Sequence, residues 1–192
     1  KLFVEMCKTQ KIPAIYVPGY TKDYDFMTGD TLFRTEYAWA LVNLSENWYI
    51  MDLTAASSKV VAWMSPMSKF FWTLFKIPYS SHLRAVKSYN PSYLYMNPAT
   101  ALKNHLPAAE IFQLMHYPMT ISDYMGGDSL MQVYFENYPE TQTANPIIDE
   151  FYQKNAIDKY IYVANESEFT NPANQYTKAL YYYFALKNFF NT

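Results

Sequence analysis

Two β-favouring segments joined by a short polar connection constrain the fold of this chain more than any other feature. Residues 35–44 and residues 48–53 are dense in aromatic and aliphatic side chains, and Ser45, Glu46 and Asn47 lie between them. Aromatic and β-branched residues favour strands, and so short a connection joins neighbours in an antiparallel sheet. The sequence therefore predicts a β-hairpin at the centre of an antiparallel sheet.

A helix is predicted before this hairpin. Leu2, Phe3 and Met6 fall on one face at helical spacing, which predicts a helix at the start of the chain. A short apolar run over residues 14–17 follows, and it is expected to form a strand. We expect Pro18-Gly19 to close that strand, because both residue types are common in turns.

The residues after Gly127 have a different pattern from those before it. Asn145-Pro146 and Asn171-Pro172 each place a capping Asn before a Pro, the arrangement favoured at the start of a helix. The sequence thus predicts an α+β fold, in which an N-terminal helix packs on an antiparallel β-sheet and a helical extension follows. We expect the core and its downstream segment to occupy residues 1–127 and the helical extension to occupy residues 128–192.

Aromatic side chains make up 19% of the 192 residues, and four of them are consecutive at Tyr181, Tyr182, Tyr183 and Phe184. Tyr and Phe are favoured at protein interfaces, so this run is a candidate docking surface. On a helix, however, four consecutive residues point around more than half of the circumference. Core packing is therefore the favoured interpretation, and partner binding is the alternative.

The composition argues against several classes of function. A formal net charge of −2 offers no basic surface for nucleic acid, and the single cysteine, Cys7, excludes an internal disulfide and a cysteine-based zinc site. His82, His105 and His116 lack the i, i+4 spacing of a helical metal site. We therefore expect no metal and no cofactor. No apolar run reaches the roughly 18 residues of a membrane helix, so no transmembrane segment is expected.

The start of the chain bears on its location in the cell. The first residue is Lys1 rather than Met, and no signal peptide is visible, so we interpret the start as a processed or truncated end. A secreted or periplasmic protein fits this pattern slightly better than a cytoplasmic one. The sequence predicts no oligomeric state.

Three short motifs follow the order of a cysteine-protease site. Such a site needs a Cys nucleophile, a His that takes its proton, and a carboxylate or amide that orients the His. Ile12-Pro13-Ala14, Tyr37-Ala38-Trp39 and Met51-Asp52-Leu53 resemble, in order and spacing, the core of the transglutaminase-like superfamily, which has the papain-like cysteine-protease fold. In that superfamily a His precedes Ala-Trp on one strand, and an Asp lies on the next strand.

The chain departs from the family at the two residues that carry the reaction. Tyr37 stands at the position of the His, and its phenol, with a pKa of about 10, cannot serve as a base at neutral pH. Phe3 and Cys7 fit positions that follow the family's nucleophile, so the resemblance places the expected nucleophilic Cys upstream of Lys1. Cys7 is accordingly interpreted as a buried helix residue rather than a nucleophile.

The other site positions are retained. The resemblance assigns Asp52 to the triad carboxylate, and the alternative is an Asp that ends a strand and bonds to a turn. Tyr37 and Asp52 are therefore the vestigial triad positions. We expect the Tyr37 phenol to donate a hydrogen bond to the Asp52 carboxylate, in a structural role. Trp39 and Trp48 stand where family members carry aromatic residues, and they are predicted to line the cleft.

A second segment extends the resemblance. Tyr93-Leu94, Asn97-Pro98, His105-Leu106-Pro107 and Phe112-Gln113-Leu114 follow the order of a segment downstream of the core in kyphoscoliosis-peptidase-type members. Asn97 replaces an Asp of that pattern, and Phe112 replaces a Trp. The resemblance assigns no catalytic role to the segment, so His105 is interpreted as structural.

These observations lead to one preferred function and two alternatives. The preferred function is a non-catalytic transglutaminase-like domain that binds a protein or peptide. The first alternative is a cysteine peptidase or amide-transfer enzyme whose nucleophilic Cys lies in an upstream segment. The second is a structural scaffold whose aromatic surface holds a larger assembly.

Overall fold

The computed structural model describes residues 1–22, 31–32, 34–62, 83–142 and 144–191. It confirms the predicted α+β class, since a helix precedes an antiparallel sheet and further helices follow it. The described elements are, in chain order, helix α1 (Leu2–Thr9), strands β1 (Ala14–Thr21), β2 (Tyr37–Leu44) and β3 (Asn47–Met51), helix α2 (Leu53–Ser57), strands β4 (Ser58–Ala62) and β5 (Leu83–Lys87), helix α3 (Pro98–Leu102), strand β6 (His105–Pro107), and helices α4 (Ile121–Met125), α5 (Asp128–Asn137), α6 (Pro146–Gln153), α7 (Ala156–Thr170) and α8 (Gln175–Asn191), with 3₁₀ turns at Pro91–Tyr93 and Glu110–Gln113.

The elements form two compact units. The larger unit comprises Lys1–Met51 and Tyr95–Thr192, and the smaller one comprises Asp52–Leu94. In the smaller unit β4 and β5 pair as antiparallel strands, with Ser58 opposite Lys87. The larger unit contains a four-stranded antiparallel sheet in the order β3-β2-β1-β6.

The predicted β-hairpin is confirmed. β2 and β3 pair from Leu44–Asn47 at the turn to Ala40–Met51 at the open end. Ser45 has φ of 52° and Glu46 has φ of 68°. Two consecutive residues with positive φ favour the right-handed twist of a two-residue hairpin, which explains why so short a connection closes the two strands.

The prediction that Pro18-Gly19 ends β1 is wrong, because the strand continues through both residues to Thr21. Proline lacks an N–H, but the Pro18 carbonyl still accepts a hydrogen bond of 2.9 Å from the Ala108 N–H. Gly19 lies opposite Tyr37 of β2 on one side and opposite Pro107 of β6 on the other. Pairing on both edges therefore keeps this segment extended, even though its residue types favour a turn.

Two groups of buried side chains among the described residues join helices to the sheet of the larger unit. In the first, Val4 and Cys7 of α1 pack against the sheet residues Ala14, Ala40, Val42 and Met51, as the prediction of an N-terminal helix on a sheet requires. In the second, Met131 and Tyr134 of α5 pack against residues from β1, α3, β6 and α4. The second group consists of Tyr20, Leu102, Leu106, Met115, Met119, Tyr124, Met125, Met131 and Tyr134. The core therefore crosses the boundary placed after residue 127, and the division at that point stays a prediction.

The C-terminal helices begin as predicted in one case and not in the other. Asn145 caps α6, and its side-chain oxygen accepts a 2.9 Å hydrogen bond from the Ile147 N–H. Asn171 starts a turn rather than a helix, since its side-chain oxygen accepts from the Ala173 N–H at 3.2 Å and its main-chain carbonyl accepts from the Asn174 N–H at 2.9 Å; its side-chain amide donates to the Leu32 carbonyl at 2.7 Å. Asn174 accepts from the Thr177 N–H at 3.1 Å instead, and α8 begins at Gln175. Among the described helices, none has the length and apolar character needed to cross a membrane.

Candidate functional site

β1 lies between β2, which carries Tyr37, and β6, which carries His105. Tyr37 is the first residue of β2 and lies opposite Gly19. On the other side of β1, Thr21 lies opposite His105, the first residue of β6. The antiparallel register thus brings two segments that are 68 residues apart (105 minus 37) to the same end of the sheet.

His105 is buried beside two aromatic rings of β2. Its imidazole centroid lies 5.1 Å from that of Trp39, and the two planes are 89° apart. The centroid of Tyr37 lies 6.2 Å away at an interplanar angle of 64°. Both contacts are edge-to-face, an arrangement that stabilises aromatic pairs. The fold therefore places an imidazole next to Tyr37, the residue that the sequence resemblance assigns to the His position.

Gly19 makes this arrangement possible. A Cβ at Gly19 would lie 2.5 Å from the carbonyl oxygen of Leu106 and closer still to Cη2 of Trp39. Because glycine has no side chain, the Trp39 ring crosses over β1 and reaches His105. Sequence analysis interpreted His105 as structural and did not predict its contact with Tyr37, because that contact depends on the register of β6 against β1.

Trp39 and Trp48, both predicted to line the cleft, are buried and lie apart on the hairpin. Trp39 is four residues from Asn43, the partner of Trp48, which corresponds to about 13 Å along a strand. The Trp48 indole N–H donates a 2.8 Å hydrogen bond to Asp149 in α6. These contacts give both indoles packing roles within the larger unit, and their part in a ligand cleft stays a prediction.

Asp52 follows the last residue of β3 and begins the smaller unit. Its buried carboxylate accepts a 3.0 Å hydrogen bond from the Ala55 N–H and so caps helix α2. An aspartate at this position satisfies a backbone donor that the helix itself leaves unpaired. The structure thus shows the bond to a turn that was the alternative interpretation, and the triad role of Asp52 stays a prediction.

Cys7 does not have the surroundings of a nucleophile. It is buried in the core between α1 and the sheet, where it packs with Val4 and Met51. Burial raises the pKa of its thiol above the ordinary value of 9.0. A nucleophilic cysteine needs the opposite shift, because the thiolate is the reactive form. In the part of the chain that the structure describes, no three His, Cys, Asp or Glu residues are placed to hold a metal ion.

A cavity of about 800 Å³ lies in the larger unit beyond the β1–β6 strand pair. Lys22 directly follows the residue paired with His105, and Asn104 directly precedes His105; both line the cavity. Helix α5 supplies another wall, with the charged groups Asp128 and Glu136. The volume lies within the range of about 300–1,000 Å³ that is typical of ligand pockets.

The Lys22 ammonium contacts two buried side chains at the edge of this cavity. Its ammonium lies 4.6 Å from the centroid of the Tyr124 ring and 2.7 Å from the sulfur of Met131. Burial lowers the pKa of Lys22, and the nearby carboxylate of Asp128 acts in the opposite direction. Sequence analysis did not identify this site, because Lys22 lies in a polar, turn-rich stretch and the helical extension was predicted without its contact to that stretch.

Comparison with known proteins supports a relation to the transglutaminase-like family, and it does not test the roles of individual site residues. No protein-family model matches the chain. Kyphoscoliosis peptidase from mouse and its human counterpart are each 27% identical to this chain over 124 residues, which is 64% of the chain and 16% of either relative. The chain thus matches about a sixth of the length of these relatives. Over this stretch it is similar to a protein of the transglutaminase-like family, and the comparison supports a relation to that family.

Proposed function

We propose that this chain is a non-catalytic transglutaminase-like domain that binds a peptide or protein segment. The proposal rests on Tyr37, which the sequence resemblance assigns to the family's His position and whose ring lies 6.2 Å from that of His105. A phenol with a pKa of about 10 holds its proton at neutral pH and cannot take one from a thiol. The chain's single cysteine, Cys7, is buried with a raised pKa, which also opposes catalysis.

The cavity supports the binding part of the proposal. Lys22 and Lys103 provide positive charge, Asp128 and Glu136 provide negative charge, and Phe135 adds an apolar ring. A peptide offers matching groups of all three kinds: acidic side chains, basic side chains and apolar ones. Phosphate-containing ligands fit less well, because the two carboxylates would repel them. A short peptide is therefore the ligand class that the lining favours.

We expect the chain to bind short peptides and to lose affinity when the charge of the cavity is reversed. The probe is a mixture of tryptic peptides of casein, and retained peptides are identified by mass spectrometry and then titrated individually. Lys103→Glu should weaken the binding of acidic peptides by at least about 10-fold, because it replaces a charge-assisted contact worth about 1.5–3 kcal/mol with a repulsive one. Lys103 is exposed, so the substitution leaves the core intact.

Lys59→Glu is the matched control for this experiment. Lys59 is also exposed and lies in β4 of the smaller unit, and its substitution changes the net charge by the same amount. The affinity of the Lys59→Glu variant for the same peptides should equal that of the unaltered chain. Equal weakening by both substitutions would contradict a specific role for the cavity, and the retention of no peptide at all would contradict the proposed function.

A second candidate function is favoured by the position of His105. A cysteine peptidase or amide-transfer enzyme with its nucleophile in an upstream segment needs a base, and Tyr37 cannot supply one. The imidazole of His105 lies beside Tyr37, on the strand at the other side of β1. A histidine so placed could take the proton of an incoming thiol in place of the family's His. Thiol reactivity distinguishes the two functions, because only the second requires an activated cysteine.

A further inference from the structure

Helix α8 (Gln175–Asn191) is apolar on both of its faces. One face is buried through Thr177, Tyr181 and Ala185 and packs within the larger unit. The run 181–184, for which core packing was the favoured interpretation, divides between the two faces: Tyr181 is buried, whereas Tyr183 is 58% exposed. The burial of one face therefore does not explain the aromatic residues on the other.

The exposed apolar residues follow a heptad pattern. Tyr176, Ala179, Tyr183, Leu186 and Phe190 are separated alternately by three and four residues, all five are exposed, and Phe190 is 79% accessible. Positions with this alternation form a single line along one side of a helix, and they are the contact positions of paired helices. A helix face directed to solvent is normally charged or polar. The pattern thus indicates a surface shaped for a second helix.

Further exposed aromatic residues lie beside the heptad line and enlarge the apolar face of α8. Phe189 is 63% exposed and Tyr182 is 36% exposed, and both flank the heptad line. Since an aromatic side chain buries about 150–250 Å² on full coverage, the exposed fractions of the five aromatic residues sum to an apolar surface on the order of 450–700 Å². Contiguous patches above a few hundred Å² are uncommon on monomeric proteins and usually mark an interaction site.

We propose that this face, Tyr176, Ala179, Tyr183, Leu186 and Phe190 with their flanking aromatic residues, pairs with the same face of a second copy of the chain. Two such faces, fully covered, would bury on the order of 900–1,400 Å² in total, which overlaps the range of stable protein–protein interfaces. A two-fold axis through the middle of the helix lets one patch serve both subunits. An antiparallel pair also opposes the two helix dipoles.

The charges of α8 are compatible with self-association. Lys178 forms an ion pair with Glu168 of α7 at 2.7 Å, so its charge is already balanced within the chain. Lys187 lies at the edge of the heptad line. In an antiparallel pair centred on Tyr183, the two Lys187 positions are eight residues apart along the helices, or about 12 Å. At that separation the repulsion between two exposed charges is largely screened at physiological ionic strength.

A lipid surface fits the same face less well. Helices that lie in a membrane interface carry many lysines and arginines on their polar side, and these bind anionic headgroups. α8 contains only Lys178 and Lys187 among its described residues, and the whole chain has a net charge of −2. A second copy is therefore the occupant that the surface favours.

Sedimentation equilibrium at roughly 5–50 µM tests the proposal, because standard-size interfaces have dissociation constants from micromolar to picomolar. We expect the chain to have twice its monomer mass of 22.6 kDa, and the double variant Tyr183→Glu, Leu186→Glu to have the monomer mass. Both residues are more than half exposed, so the variant should keep the circular dichroism spectrum of the folded chain. Val133→Glu, at an equally exposed position of α5, is the control and should remain dimeric.

A cysteine variant locates the two-fold axis. Because the chain's single native cysteine is buried, Tyr183→Cys introduces the one readily accessible thiol, which should cross-link two copies on mild oxidation. A monomeric unaltered chain at 50 µM, or a double variant that stays dimeric, would overturn the proposal. Monomers that co-sediment with vesicles of phosphatidylserine and phosphatidylcholine through this face would overturn it in favour of a lipid surface.

Discussion

Gly19→Ala should lower the free energy of unfolding of the larger unit by about 2–3 kcal/mol. The added Cβ would lie 2.5 Å from the Leu106 carbonyl oxygen and would overlap the Trp39 ring. Leu106 belongs to a paired strand and Trp39 is buried, so neither can move without disturbing the sheet. Urea unfolding followed by tryptophan fluorescence measures the effect as a lower midpoint with an unchanged slope.

Gly126→Ala is the matched control, since a Cβ at Gly126 also meets a neighbour at short distance. The nearest neighbour is the end of the Leu130 side chain, which is partly exposed and can adopt another rotamer, and the Ser122 carbonyl oxygen at 3.1 Å needs only a small shift. We therefore expect Gly126→Ala to change the free energy of unfolding by less than about 1 kcal/mol. Similar losses at the two glycines would contradict the account of Gly19 as the site where β6 and Trp39 approach the β1 backbone.

Gln113→Met should destabilise the larger unit by about 2–6 kcal/mol, which is the second large effect. The Gln113 side chain is fully buried, donates to the Met119 carbonyl at 2.9 Å, and accepts from the Met119 N–H at 2.7 Å. Methionine has a similar length and no amide, so the substitution removes two hydrogen bonds while it largely keeps the packing. Each backbone group left without a partner costs about 1–3 kcal/mol.

Gln132→Met separates the effect of burial from the loss of an amide. The Gln132 amide donates a 2.8 Å hydrogen bond to Glu136, but both side chains are exposed, and water replaces the bond. Its expected cost in the same unfolding experiment is below about 0.5 kcal/mol. If Gln113→Met costs no more than Gln132→Met, the buried pair of hydrogen bonds does not stabilise the segment between Gln113 and Met119.

The features predicted correctly from the sequence depend on interactions between neighbours in the chain. The hairpin follows from two strand-forming segments and a two-residue turn at Ser45 and Glu46. The start of α6 follows from Asn145, whose side chain bonds the next turn of its own helix. In both cases the decisive contacts span only a few residues, so local residue preferences are sufficient.

The features that the sequence did not predict depend on distant contacts. β1 extends past Pro18 because Ala108 and Pro107 lie beside it, about 90 positions later in the chain. Asn171 begins a turn and the helix starts only at Gln175; the Asn171 amide bonds the Leu32 carbonyl, a partner that local preference cannot anticipate. The contact of His105 with Tyr37 likewise requires the register of a three-residue strand, which residue preferences leave undetermined.

The rate of thiol labelling by iodoacetamide at neutral pH tests most directly the claim that this domain lacks catalytic activity. Burial and a raised pKa predict slow labelling of Cys7 in the folded chain and fast labelling after unfolding. In a form of the protein that includes any residues encoded before Lys1, we predict no rapidly labelled upstream thiol. Rapid labelling of a single upstream thiol would contradict the claim, and its slowing in His105→Gln would assign the role of base to His105.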